Sequence, residues 1–417
     1  MEILVFLSIA TQLITSNSYN FVPASLALIV LGKIIILNFK PSKSYVNDVC
    51  LLTEEKKYQR RWIRIMAILL VIYFAIFVIY RYAMHGHNSE MDNPSRVLLF
   101  LPLLWWPYVT NLRSMLERIF VGSALGAVIA SIVASYGKWV LHAERAFPAP
   151  YMYIQAGDVA MSLSLFSLVG MFWFLHTKCY TKLGFMVIGF FSGVFASVIS
   201  GSRGGWIILL PVVLWLIFLY RQLIGKKLTS LILGAGALGI VLLVAVPQFG
   251  VVQRYNQAIN DVQSYESHNA DTSLGLRFEM WKSAYIAIKE RPIIGWSKEG
   301  FQDKKEALIA QHIVSPQIRD FNHVHNQYLN DWAERGIFGL LSLLSIQLVP
   351  LYIFFTYIKN KAVDSPQSVI AVLGAIHVLG VITYGLSQGF LEHNSGNMFY
   401  FFLLSLFLGL LLHSSEE

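Results

Sequence analysis

Between Leu183 and Tyr220 the chain runs 38 residues with a single charged side chain, Arg203. A helix that crosses a bilayer needs about 20 mostly apolar residues, so this tract is long enough for two crossings joined by a tight hairpin. Arg203 then stands at the hairpin tip, in "GSRGGW" at 201–206. The remainder of the chain has the same character, with 56% hydrophobic and 13% charged residues and a mean hydropathy of +0.57. Such a composition excludes an ordinary soluble domain and predicts an all-α, polytopic membrane protein.

Apolar runs place twelve spans near 1–16, 21–39, 62–82, 97–112, 119–137, 159–176, 183–201, 205–220, 228–247, 337–358, 369–387 and 397–413. Alternate short connections carry fifteen Lys and Arg residues, among them Lys56, Lys57, Arg60, Arg61, Arg113, Lys178, Lys226 and Lys359. The opposite short connections hold only Arg81, Arg96, Lys138, Arg145 and Arg203. Cytoplasmic loops retain positive charge, so both termini are expected in the cytoplasm and Arg203 on the outer face. Cys50 and Cys179 both fall in expected cytoplasmic loops, where thiols stay reduced, and no disulfide is expected. Met1-Glu2 has no basic n-region and no A-x-A site follows the first run, which reads as a retained helix.

The connection from Gln248 to Gly336 is 89 residues long and carries ten basic and eleven acidic residues. The overall charge of +8 therefore follows topology and does not describe a groove for nucleic acid. Three segments follow: helices 1–9 over 1–247, an outer helical loop over 248–336 that carries function, and helices 10–12 over 337–417. In the loop, Thr272 or Ser273 can cap a helix near 272–290 that Arg291-Pro292 ends. Arg277 lies on its apolar face, in line with Trp281, Ala284 and Ile288, and there it needs an anionic partner, either Asp271 or Glu279 or an external anion. Asn322 is a candidate N-cap and Gly336 a stop for a helix of about 13 residues, which would put His325 in the first turn with Leu329 and Trp332. The helix dipole there disfavours imidazolium, so His325 is expected neutral, either as a proton acceptor or as a histidine bonded to a backbone carbonyl.

His323-x-His325 and His85-x-His87 bring imidazoles together, but neither pair comes with the further Asp, Glu or Cys donors that zinc requires, and no metal is expected. Arg203, Arg277 and His325 all fall on the outer face. Two guanidiniums give planar bidentate contacts to phosphate oxygens, and a neutral imidazole can take a proton from a hydroxyl. Arg203 taken alone is equally an interface arginine that snorkels into headgroups.

"SRGGW" at 202–206, "LRFEMWKSAY" at 276–285, "RPIIGW" at 291–296 and "HVHNQYLNDWAERGIFG" at 323–339 resemble the O-antigen ligase and polymerase superfamily of bacterial inner membranes. The resemblance covers most of the second half, and the family's usual third glycine after "IIG" is replaced by Trp296 and Ser297. It implies a GT-C-like glycosyltransferase, inverting, metal-independent and without a cofactor, working on the periplasmic face. The donor would be O-antigen on undecaprenyl diphosphate and the acceptor a hydroxyl of lipid A-core. On matching positions His325 becomes the base and Arg203 and Arg277 the diphosphate clamp. Apart from the resemblance, His393 and Asn394 of "FLEHNSGN", in a short outer turn before the last span, are candidates to line the same cavity, as are His323 and Asn326 beside His325. Glu279, Asp320, Asp331 and Glu334 stand as alternative bases. A ligase is expected, with a polymerase of the same superfamily as the alternative. From another class stands a lipid or glycan flippase, which would carry ionisable residues at mid-bilayer depth, where this sequence has almost none.

Overall fold

The computed structural model describes residues 1–15, 17–39, 54–84, 86–105, 111–143, 145–202, 204–226, 229–230, 234, 241, 244–245, 251–267 and 269–413. All the regular elements among them are helical. In chain order they are α1 (Glu2–Ala10), α2 (Ser18–Phe39), α3 (Glu54–Ala83), α4 (Arg96–Phe100), α5 (Leu112–Ser135), α6 (Tyr153–His176) and α7 (Tyr180–Ser200). There follow α8 (Gly204–Leu219), α9 (Val251–Glu266), α10 (Ser273–Glu290), α11 (Lys298–Ala310), α12 (Gln327–Asn360), α13 (Pro366–Gly385) and α14 (Asn394–His413).

Eight of these, α2, α3, α5, α6, α7, α12, α13 and α14, are long and apolar enough to cross a membrane, and α8 is a shorter apolar helix. Two of the twelve expected spans are not continuous membrane-length helices. In 1–16 only α1 is helical, and at about 1.5 Å per residue it reaches roughly half the hydrocarbon thickness. It stops where the side chains of Thr11 and Gln12 donate to the carbonyls of Leu7 and Ser8, each at 2.7 Å. Their hydrogen bonds occupy carbonyls at the end of the helix. In 97–112 the short α4 gives way to a tighter turn over Leu101–Trp105 that contains Pro102, which has no N–H to continue an α-helical ladder. Most of the span expected at 228–247 lies outside the described residues.

Helices α6, α13 and α14 form the centre of the bundle, with nearly every side chain of α14 buried. Small residues allow close helix contact around it: a Cβ at Gly193 of α7 would stand 2.7 Å from the Ala160 carbonyl of α6. A second, smaller apolar cluster is made by the stretch of chain that follows α8 and α9 and precedes the break in α12. Met280, Ala284, Ile288, Phe301, Ile318 and Val324 make it, from α10, α11 and the turns around them. Helix α9 packs on α10 through Tyr265, whose hydroxyl donates to Glu279 Oε1 at 2.8 Å.

The two clusters are joined at a backbone break. Helix α12 is interrupted at Gly336, with φ of 59° and ψ of −159°, so the expected stop at Gly336 is realised as a kink after which the helix resumes. The "RPIIGW" turn lies directly against this break. Gly295 has φ of +74°, and a Cβ there would stand 2.5 Å from Gly336 N and 2.7 Å from Glu334 O. A Cβ on Gly336 would run into the Ile293 carbonyl. Trp296 N donates to Ala333 O at 3.0 Å, Ser297 N to Glu334 O at 2.8 Å and Ile337 N to Pro292 O at 3.0 Å. From α3, the Tyr80 hydroxyl reaches the carbonyls of Ile294 at 2.5 Å and Arg335 at 2.8 Å. Both glycines are required twice, by positive φ and by contact.

Gly336→Ala is therefore expected to destabilise the protein by at least about 2 kcal/mol, within the range of strained-backbone substitutions. A thermal midpoint in detergent equal to wild type would contradict the close approach.

Candidate functional site

The histidine stretch is built around Val324. Its N–H donates to Asn330 Oδ1 at 3.2 Å, its carbonyl accepts from Trp281 Nε1 at 3.0 Å, and its side chain is buried in the smaller cluster. This pins the turn between α12 and α10. His323 and His325 flank the pinned residue, with ring centroids 4.4 Å apart. The backbone N–H of His325 donates to His323 Nδ1 at 3.2 Å, so a neutral His323 carries its proton on Nε2.

The expected helix boundary is displaced. Asn326, and not Asn322, is the N-cap of α12, its side chain accepting from the N–H groups of Tyr328 and Leu329 at 3.1 Å each. His325 thus precedes the helix, at φ of +51°, a left-handed conformation that costs energy for a residue with a Cβ. Its neutrality has a different cause from the expected dipole. Burial, first, then the neighbouring His323, Arg277 and His393 push its pKa down from 6.5 to about 3. Its Nδ1 is buried and has no hydrogen-bond partner among the described residues. Phe321 stands against the other side of the ring, with centroids 5.6 Å apart.

His393 joins from the turn before α14, its ring centroid 5.5 Å from that of His323. Burial and the adjacent His323 lower its pKa to about 4, and burial also lowers that of His323. Arg277 is partly buried on α10 and near enough to His325 to bias its titration. That helix starts where expected, with Thr272 Oγ1 accepting from Gly275 N at 3.0 Å. Of the two acids weighed as partners for Arg277, Glu279 accepts from Tyr265 and from Ser315 N, the latter at 2.6 Å. Asn394 is engaged at both ends of its amide, accepting from Arg96 Nε at 3.0 Å and donating to Asn20 Oδ1 at 3.0 Å. Arg203 lies outside the described residues, as does His85, while His87 pairs with Glu299 at 2.9 Å.

Beneath the histidines lies an ionic group that sequence reasoning missed. Arg335 is buried to 5% exposure and binds Asp331 at 2.5 Å, Glu334 at 2.7 Å and Glu392 at 3.7 Å. Asp331 and Glu334, weighed as bases, are thereby committed to a guanidinium. Lys298, the first residue of α11, reaches Glu392 at 3.6 Å. Proximity to Glu392 raises the Lys298 pKa against the opposing effect of burial. Burial pushes Glu392 up, but Lys298, Arg335 and the two histidines outweigh it, so its carboxyl stays below the ordinary range. Glu392 stands next to His393 in sequence, and the Asn93 side chain holds its carbonyl at 2.6 Å. The sequence signal available for this group was the i,i+4 pair Asp331 and Arg335; the reach of Glu392 across 57 residues had none.

Among the described residues no group of three or more His, Cys, Asp and Glu side chains has the arrangement to hold a metal ion. The cluster brings together three imidazoles of depressed pKa, with the Arg277 guanidinium and the Lys298 ammonium near enough to bias them.

A family model described as O-antigen ligase matches residues 188–344, which takes in much of α7, α8, the smaller apolar cluster and the start of α12. An uncharacterized protein of Haemophilus influenzae is 35% identical over 409 residues, covering 98% of this chain and 97% of that one. An O-antigen ligase of Escherichia coli is 28% identical over 172 residues, 39% of this chain and 36% of its own length.

Two outcomes follow from the electrostatics. Arg335→Ala leaves buried carboxylates without their cation and is expected to cost about 3–5 kcal/mol, read as a lowered thermal midpoint. The three depressed histidines refuse protons that the unfolded chain takes up near pH 6.5. Their contribution to stability is complete above that pH and is lost as the pH falls toward the folded pKa values. The thermal midpoint should drop between pH 7.5 and 5, and by less in His325→Asn; equal drops would show that His325 is not shielded from protons.

Proposed function

The chain belongs to the O-antigen ligase superfamily, and from that premise we propose that it transfers a glycan from undecaprenyl diphosphate to a hydroxyl of lipid A-core, at the periplasmic face of the bacterial inner membrane. Membership implies a glycosyltransferase-type reaction in a multi-pass membrane protein. The observation that carries the finer reading is the gathering of His325, held neutral, with His323, His393 and the Arg277 guanidinium.

In this reading Arg277 and Arg203 hold the diphosphate and neutralise the charge that grows on it as the bond to the sugar anomeric carbon breaks. The acceptor hydroxyl approaches from the opposite side of that carbon. His325 takes its proton as the new glycosidic bond forms, the electron pair of the old bond leaves with the diphosphate, and configuration inverts. A general base contributes roughly 10²- to 10⁴-fold, and orientation of two bound substrates contributes more. The unpaired Nδ1 of His325 supports the assignment, since a buried ring nitrogen without a partner is costly unless substrate supplies one. Lys298 and Glu392 hold the wall of the site in place. The ligase assignment over the polymerase is supported by the similarity to the O-antigen ligase family and to the Escherichia coli O-antigen ligase.

The test is transfer by purified protein given carrier-linked glycan and lipopolysaccharide core. His325→Ala is expected to reduce kcat by about 10²- to 10⁴-fold with normal membrane abundance. Arg277→Ala is expected to raise the donor KM as well as lower kcat. Product formed only with a second carrier-linked glycan would reassign the acceptor and make the protein a polymerase, and no glycosidic bond with either acceptor would favour a flippase.

Because the free protein holds His325 near a pKa of about 3, kcat/KM should show no acidic limb from this imidazole around pH 6.5. A bound diphosphate favours imidazolium, so the acidic limb of kcat should lie at higher pH than that of kcat/KM. Superimposable profiles would argue against His325 lying beside the diphosphate.

A further inference from the structure

Near the start of α6 a carboxylate is buried among neutral donors. Asp158 has 0% exposure. Its Oδ1 accepts from Ser202 Oγ at 2.9 Å, its Oδ2 accepts from Gln388 Nε2 at 3.2 Å, and the backbone N–H of Gly205 donates to the same carboxylate. Ser202 and Gln388 are themselves buried. A carboxyl group removed from water needs its oxygens satisfied, and these three donors meet that need.

The donors come from two separate segments. Ser202 and Gly205 belong to the hairpin between α7 and α8, and they bracket Arg203 in sequence. The hairpin is shaped to come close: Gly201 turns at φ of 75°, and Cβ atoms on Gly204 and Gly205 would stand 2.7 Å from Ser387 Oγ and 3.0 Å from Ser197 Oγ. Gln388 belongs to the connection between α13 and α14, whose next residues lead into the histidine cluster. The Leu386 carbonyl accepts from Asn326 at 3.4 Å, a Cβ on Gly389 would stand 3.5 Å from the His323 ring, and Glu392 and His393 follow. One side chain on α6 thus ties the Arg203 hairpin to the strand of backbone that carries His393.

We infer that Asp158 is a positioning residue that sets the spacing between the Arg203 hairpin and the histidine cluster, and so the register between the diphosphate and the acceptor hydroxyl. This inference rests on the reading of Arg203 as a diphosphate ligand. Asp158 touches no substrate; it acts through the two segments it joins.

The experiment uses the full-length protein in detergent with carrier-linked glycan and lipopolysaccharide core, reading kcat, both KM values and the thermal midpoint. Asp158→Ala is expected to lower kcat about 100-fold, the scale of an ångström of misplacement, and to raise the donor KM while leaving the acceptor KM unchanged. Asp158→Asn keeps one oxygen for the hairpin and should stay within about tenfold of wild type. Should Asp158→Ala fail to accumulate, Gln388→Leu cuts the tie from the other side and should give the same split between the two KM values.

In an Arg203→Lys background the further loss from Asp158→Ala should shrink by at least about tenfold, because the two residues act in one chain of contacts. Equal losses in both backgrounds accompanied by a lowered midpoint would make Asp158 a structural residue only and overturn the inference. So would wild-type kinetics for Asp158→Ala beside an inactive Arg203→Ala, which would leave the reading of the site intact. Wild-type turnover by Arg203→Ala would remove that reading and this inference with it.

Discussion

A guanidinium buried at the break in α12 organises this protein. Arg335 cannot lie in a dry interior without anions, and it draws Asp331 and Glu334 from its own helix and Glu392 from the turn before α14. Phe77 of α3 covers its face at 4.2 Å, and Tyr80 of the same helix holds its carbonyl. Lys298, at the start of α11, pairs with the outermost of these acids. Four segments distant in sequence therefore meet because one charge must be matched. The glycine pair Gly295 and Gly336 lets the backbones come close enough for that match.

The histidine cluster adjoins this ionic group and differs from it in kind. Below, charges are paired and fixed; above, three imidazoles are shielded from protons and left close to cations. Beside burial, Lys298 lowers the pKa of His323 and His393, and Arg277 that of His325. The positive φ at His325 is backbone strain held in place by the hydrogen bonds of the neighbouring Val324 to Asn330 and Trp281.

Much of the fold was legible along the chain. The α7–α8 hairpin, the Thr272 cap and the stop at Arg291-Pro292 each depend on a few neighbouring residues, and each appears where the local pattern put it. The first and fourth expected spans failed because apolar content alone does not register what ends a helix: side chains of Thr11 and Gln12 folding back onto carbonyls, and a proline within a short run. The cap of α12 was misassigned because Asn322 and Asn326 are equally good capping residues by type. The pinning of Val324 by Asn330, six residues on, and by Trp281, 43 residues back, decided between them.

Hydropathy, loop charge and short motifs, which need only adjacent residues, determined that this chain would be a many-helix membrane protein with an elaborated loop, and they singled out His325, Arg277 and Arg203. The partners of Arg335, the approach of His393 to His323, and the bridge that Asp158 makes between two loops belong to tertiary structure alone. Those contacts exist because burial forces each polar group to find a complement wherever the chain brings one, and a linear string carries no record of that distance.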